Sequence, residues 1–201
     1  MMKIIIFLRF LPVSFMILYK NKLLVEDFKR WCEIIKMNKS LYSFAYILFY
    51  YKEFRNIVIY RYQKKVFFKR YFSLMYPPLS TLYIQAKEIK GGLFIQHGFS
   101  TMISAEYIGK NCWINQQVTI GYKGQGRPPI IGDNVMITCG AKVLGSITIG
   151  NNVVIGANAV VVKDVEDDST MVGIPAKKIR KKVIYEKSTN VLSYWIRESW
   201  M

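Results

Sequence analysis

The stretch Ile131-Gly132-Asp133-Asn134-Val135-Met136-Ile137-Thr138-Cys139-Gly140-Ala141-Lys142-Val143 decides the fold. Its leading aliphatics, Ile131, Ile137 and Val143, stand six residues apart, and the same step continues through Ile149, Ile155 and Val161. A second small or aliphatic residue follows each by four: Val135, Ala141, Ile147, Val153, Ala159 and Val165. A period of six matches neither the alternation of a half-buried strand nor the turn of a helix. It fits a strand of a few residues followed by a turn, where glycine or asparagine supplies backbone conformations that other residues resist.

Toward the N-terminus the register recurs at Ile108, Ile114 and Ile120, with Cys112 and Val118 as the secondary set, and at Ile89 and Ile95, with Leu93 and Phe99. Three short strands close one triangular coil with the leading aliphatic inside, and coils stack at strand spacing, about 4.8 Å. The predicted class is mainly β, a parallel β-helix of hexapeptide repeats over residues 81–176. Two interruptions mark it. Ile120 and Ile131 stand 11 apart, so residues 121–130, glycine-rich and carrying Lys123 and Arg127, leave the prism as an excursion loop. A slip of one residue falls between Ile95 and Ile108, just after His97.

Residues 1–80 differ in kind. Apolar residues recur at helical spacing, as in 25–31 and 51–58, which predicts two or three helices ended by Pro77-Pro78. Twenty of the 30 aromatics lie there among 15 basic and 4 acidic residues, a pattern that suits helices packing on one another or on a second subunit, or a peripheral membrane surface. Ile4 to Tyr19 is almost wholly apolar, yet these sixteen residues, interrupted by Arg9 and Pro12, fall short of the roughly 20 that cross a bilayer. Two readings stand for them: an interfacial or core-packing helix, or a start annotated early, with Met16 as the first residue.

The net charge of +16 sits at the ends, since residues 81–168 hold 7 basic and 7 acidic groups. A neutral prism is no polyanion groove, which disfavours specific nucleic-acid binding. One histidine, His97, and three scattered cysteines, Cys32, Cys112 and Cys139, argue against a metal site and for reduced thiols in a cytoplasmic chain, at the inner face of the membrane if the basic N-terminus docks there.

Local phrases then add a resemblance. Residues 82–184 resemble the left-handed β-helix acyltransferases, in the serine acetyltransferase-like and polysaccharide O-acetyltransferase branch, through Ile95-Gln96-His97-Gly98, Val118-Thr119-Ile120-Gly121 and Gly173-Ile174-Pro175-Ala176-Lys177-Lys178-Ile179. The resemblance implies acetyl-CoA as acyl donor, no metal, and His97 as general base, a role that imidazole suits near neutral pH. It implies Gln96 and Arg127 at the acceptor, backbone groups around Gly121, Tyr122, Cys139 and Ala157 along the pantetheine arm, and Lys163 and Lys177 at the nucleotide phosphates. The basic run Lys177, Lys178, Arg180, Lys181 and Lys182 opens a C-terminal tail over residues 177–201. Cys139 reads as a coil-lining residue rather than a nucleophile.

This chain departs from the family at three places. Gln96 stands where Asp-His is expected, Leu82 where a further aspartate is expected, and Arg127-Pro128-Pro129 where serine-specific members carry Arg-His-Pro. Glu88 and Glu106 are the candidate substitutes for the missing carboxylate, beside a backbone carbonyl. The leading expectation is therefore O-acetylation of a sugar or polysaccharide hydroxyl. The alternatives are L-serine O-acetylation and a β-helix scaffold without catalysis. Apolar side faces predict a closed homo-oligomer, most simply a trimer with His97 near the subunit boundary.

Overall fold

The computed structural model describes residues 10, 14, 20–122 and 124–180. The two readings of Ile4 to Tyr19, Lys123 of the loop, and the tail from Lys181 lie outside the described residues.

Among the described residues four helices are complete, one or two more than the spacing predicts. α1 (Lys22–Ile34) starts where Asn21 Oδ1 accepts the Leu24 N–H at 3.1 Å, and α2 (Leu41–Tyr50) where the Ser40 hydroxyl accepts the Ser43 N–H at 3.1 Å. α3 (Lys52–Arg61) follows after a single extended residue, Tyr51, and α4 (Val66–Met75) after a short turn at residues 62–65. Neither break contains glycine or proline, so the sequence does not announce them. α4 ends two residues before Pro77, as predicted. Leu24, Phe28 and Trp31 on α1 meet Phe44 and Leu48 on α2 and Phe54 and Ile57 on α3 in one buried cluster. Trp31 and Phe54 lie with ring centroids 5.1 Å apart, and Phe28 and Phe44 at 5.2 Å, both edge to face.

The remainder is a triangular parallel β-helix of about five coils. One sheet runs β1 (Leu82–Ile84), β4 (Thr101–Ile103), β7 (Thr119–Gly121), β10 (Lys142–Leu144) and β13 (Val160–Val161). The second runs β2 (Glu88–Ile89), β5 (Tyr107–Ile108), β8 (Ile130–Ile131) and β11 (Thr148–Ile149). The third runs β3 (Phe94–Ile95), β6 (Trp113–Ile114), β9 (Met136–Ile137), β12 (Val154–Ile155) and β14 (Thr170–Val172), then β15 (Lys177–Arg180), which pairs antiparallel. The inward side chains stack in three columns: Ile84, Ile103, Ile120, Val143 and Val161; Ile89, Ile108, Ile131, Ile149 and Val165; Ile95, Ile114, Ile137, Ile155 and Met171.

Every leading aliphatic of the repeat lies in a column. Two secondary assignments change. Val165 joins the second column beside Ile149, because only four residues separate it from Val161. Phe99 is 44% exposed, because the corner after β3 is longer than the others and pushes it outward. The one-residue slip also resolves: eight residues separate Ile95 from Ile103 and five separate Ile103 from Ile108, against the usual six. The added residues fall at the corner that carries His97.

Corners are built from left-handed residues. Asn111, Asn134 and Asn152 each have φ +56°, and Asp168 has φ +54°. Their side chains form a ladder, with Asn111 Nδ2 donating to Asn134 Oδ1 at 3.4 Å, Asn134 Nδ2 to Asn152 Oδ1 at 3.0 Å, and Asn152 Nδ2 to Asp168 Oδ1 at 3.1 Å. Asparagine tolerates this conformation better than other residues with a Cβ and satisfies its neighbours there.

The helices seal the first coil. Asn56 Nδ2 donates to the carbonyls of Leu79 and Leu82, both at 3.0 Å, the Tyr60 hydroxyl to Ala86 at 3.2 Å, and Trp31 Nε1 to Leu93 at 3.0 Å. Arg61 donates to the carbonyls of Ile89 and Lys90, and Asp27 accepts the Leu93 N–H at 2.9 Å. Asp27 and Arg61 hold each other through contacts of 2.7 and 3.0 Å, with their side chains 0% and 2% exposed. Burial pushes the Asp27 carboxyl above its ordinary range, and the guanidinium and the amides of Leu93 and Gly92 pull it back down.

Candidate active site

His97 sits at the widened corner between β3 and β4, exposed, with φ +59°. Histidine is one of the few residues enriched in that conformation, and here it turns the ring away from the prism. Behind it, Gly98 leaves no room for a side chain: a Cβ there would meet Ile95 Cγ2 at 2.9 Å, Leu82 Cδ2 at 3.0 Å and Glu53 Cγ at 3.1 Å. The glycine of the Gln96-His97-Gly98 phrase thus lets α3 close down on the corner.

A cavity of about 460 Å³ opens at this junction, lined by His97, Gln96 and Ile95 from the corner, Phe94 and Trp113 from the third sheet, and Trp31, Tyr46, Tyr50, Tyr51 and Glu53 from the helices. Its walls are a run of aromatic rings in edge-to-face and tilted contact. Trp113 and Phe94 lie with centroids 4.6 Å apart, Phe94 and Trp31 at 4.6 Å, and Trp31 and Tyr51 at 5.3 Å. Burial raises the phenols of Tyr46 and Tyr51 above their ordinary range, so both stay neutral at physiological pH. A volume of this size holds a small ligand, and an apolar wall with a few convergent polar groups is the usual make of such a site.

Glu53 is the one carboxylate among the residues lining this cavity, and sequence reasoning missed it. Glu88 and Glu106, the substitutes the sequence offered, are engaged elsewhere, Glu88 with Lys90 and Glu106 with Lys87, each at 2.6 Å. Only the packing of α3 on the β3 corner reveals Glu53. Its place in the first turn of a helix was the single available signal, since the helix dipole favours an acid there.

The other residues singled out divide between two edges of the first sheet. The corners that follow β3, β6, β9 and β12 carry His97, Gln116, Cys139 and Ala157, and successive backbone bonds, Gly140 N–H to Gln116 O at 3.0 Å and Asn158 N–H to Cys139 O at 2.9 Å, stack them into one edge. Gly121 ends β7 at the opposite edge and Tyr122 and Arg127 lie past it, with Gly145 N–H bound to Gly121 O at 2.9 Å and the Ser146 hydroxyl to Arg127 O at 3.0 Å. Tyr122 is 57% exposed, Arg127 is exposed, and a Cβ added to Gly121 would meet open space. None of these three lines the His97 cavity within one chain. Gln96 does, and Asn115 Nδ2 donates to its Oε1 at 3.5 Å. Lys163 and Lys177 are exposed on the last coil, where the neighbouring Lys178 is paired with Glu166 at 2.7 Å.

Cys139 is half-buried, and Cys32 and Cys112 are buried. Burial pushes the Cys112 thiol up to about 12 and the Cys32 thiol to about 11, which makes both poor nucleophiles. Among the described residues no cluster of metal-binding side chains forms.

Three aliphatic columns, asparagine corners and an exposed histidine at a widened corner define a hexapeptide-repeat β-helix with a candidate acyl-transfer site. Comparison with known proteins agrees. Residues 128–163 match the family described as bacterial transferase hexapeptide (six repeats). The chain is 44% identical over 104 residues to the serine acetyltransferase of Synechococcus elongatus, covering 50% of this chain and 41% of that one. It is 50% identical over 93 residues to the serine acetyltransferase of Staphylococcus xylosus, covering 44% and 43%. The match thus spans less than half the length of these curated relatives. In structure it resembles the Neisseria gonorrhoeae serine acetyltransferase solved with serine, with a TM-score of 0.60 at 30% identity over 79% of this chain and 68% of that one. It also resembles the Brucella abortus serine acetyltransferase solved with coenzyme A, with a TM-score of 0.61 at 26% identity over 80% and 68%. The chain belongs to the hexapeptide-repeat acyltransferases, in their serine acetyltransferase-like branch.

Proposed function

We propose that this chain transfers an acetyl group from acetyl-CoA to the hydroxyl of a small acceptor bound in the cavity at His97, and that the acceptor is L-serine. One observation carries the reading: the chain's only imidazole stands exposed at the mouth of a cavity that holds one carboxylate and an aromatic wall. The names of the relatives support serine over the sugar acceptor expected from the sequence.

The chemistry follows from these groups. The unprotonated ring nitrogen of His97 takes the acceptor's hydroxyl proton as the oxygen attacks the thioester carbonyl, forming the new C–O bond. Collapse of the tetrahedral adduct breaks the C–S bond, and the departing thiolate receives the proton from the imidazolium. Glu53, on the same cavity, pairs with the acceptor's ammonium group and so fixes which hydroxyl meets the base. Coenzyme A runs along the edge of Cys139 and Ala157 toward Lys163 and Lys177. Gly121, Tyr122 and Arg127 complete the site from the opposite edge of a neighbouring copy in a closed trimer, since one chain keeps the two edges apart. A cytoplasmic donor and three free thiols fit a cytoplasmic place of work.

A second reading keeps the sugar hydroxyl, favoured by the exposed Tyr50 on the cavity wall, on which a sugar ring stacks, and by Pro128 where serine-specific members carry histidine. The test is free-thiol release from acetyl-CoA with serine, UDP-sugars and short glycans, for wild type beside His97→Ala. Release with serine that falls at least a hundredfold in the variant supports the main reading. Release with glycans alone moves the acceptor to sugar. Binding of CoA with no release for any acceptor leaves a scaffold.

A further inference from the structure

Helix α4 (Val66–Met75) carries two apolar faces, separated on one side by Lys69, Arg70 and Ser73, and buries only one of them. Phe68, Phe72 and, just past its end, Tyr76 face inward at four-residue spacing, with the Phe68 and Phe72 rings stacked at 5.5 Å. Opposite them on the helix stand Phe67, Tyr71 and Leu74, 92%, 64% and 78% exposed. A contiguous apolar stripe left in water marks a contact surface.

The surrounding charge says what covers it. No Asp or Glu occurs from Phe54 to Lys87, a stretch that holds seven basic residues. Arg55 binds the carbonyls of Leu48, Phe49 and Pro77, Arg61 binds Asp27, and Lys87 binds Glu106. Lys64, Lys65, Lys69 and Arg70 are all exposed and form no ion pair with any described residue. Lys64 and Lys65 also line a cavity of about 360 Å³ beside the start of the helix, with Lys20, Tyr60 and Tyr62. The carboxylate at that cavity, Glu88, is already neutralised by Lys90 at 2.6 Å. Two copies of this chain meeting through the stripe would set Lys69 and Arg70 against their own likes, whereas an anionic surface pairs with all four cations.

We propose that α4 is a peripheral docking helix for an anionic phospholipid surface. Phe67, Tyr71 and Leu74 enter the boundary between headgroups and acyl chains, and the four flanking cations meet lipid phosphates. Among the described residues no helix is long and apolar enough to cross a membrane.

Flotation of the full chain with vesicles of phosphatidylcholine, alone or with 30% phosphatidylglycerol, tests this. The wild type is expected to float at least tenfold more with the anionic vesicles, with the preference falling as salt rises. Phe67→Ser with Leu74→Ser is expected to lose that binding, and Lys64→Glu with Lys65→Glu to lose the anionic preference, each variant keeping its circular dichroism and its mass in solution. Wild type that stays with the soluble fraction overturns the proposal. So does a serine variant that floats unchanged, which would place the contact elsewhere in the chain, or one that changes mass, which would make the stripe a contact between copies.

Discussion

A single residue, Gly98, sets how closely the helices approach the His97 corner, and Glu53 is the group that this approach brings to the cavity. Replacing Glu53 by Gln is expected to raise the KM for serine about ten- to a hundredfold with a smaller change in kcat, the signature of lost acceptor binding; steady-state kinetics at several serine concentrations checks it. The thiols give a second prediction at this scale. Cys112 keeps its proton in the fold up to about 12, against an ordinary value of 9.0. Below pH 9 folded and unfolded chains are both protonated and its contribution is fully present. As pH rises beyond 9 the unfolded chain ionises first, and stability falls by about 2 kcal/mol by pH 10.5. Urea midpoints from pH 8.5 to 10.5 are expected to drop more steeply for wild type than for Cys112→Ala. His97 was legible in the sequence because its phrase and the slip beside it are local. Glu53 was not, because nothing local ties the start of α3 to a turn of the prism.

The elements differ in how plainly they are written. Every leading aliphatic of the six-residue repeat lies in an interior column, because the inside of the prism accepts only such a side chain at each step. The repeat blurs at its ends, where Val165 comes early, Met171 replaces an aliphatic, and Ile84 and Ile103 fall out of step with Ile89 and Ile108. The helix breaks at Tyr51 and at residues 62–65 were illegible because tertiary packing makes them without a breaker residue. The Asp27 and Arg61 pair joins α1 and α3 to the first coil, and removing one partner leaves a buried charge alone. Asp27→Ala is therefore expected to cost about 3–5 kcal/mol, measured by urea unfolding, with exposure of Trp31 as the fluorescence signal.

For the whole molecule, the proposed transfer makes assembly part of the chemistry, because the first sheet keeps its two edges apart. The edge of His97, Cys139 and Ala157 and the edge of Gly121, Tyr122 and Arg127 belong to one sheet and look apart. Light scattering is expected to give about 70 kDa for the 23.5 kDa chain, and a monomer that still releases thiol from acetyl-CoA at full rate would refute the shared site.

A stack of parallel strands is also a growing surface, since each end presents unpaired backbone groups to any strand that arrives. Here the lower end is stoppered by Asn56, Tyr60, Arg61 and Trp31, which occupy the first coil's carbonyls, and the upper end of the third sheet by β15, whose reversed direction does not repeat the coil. The same ladder spacing that lets other chains recruit copies without limit into amyloid thus meets side chains at its first coil and a reversed strand at β14, the devices by which a strand edge is closed to a further copy.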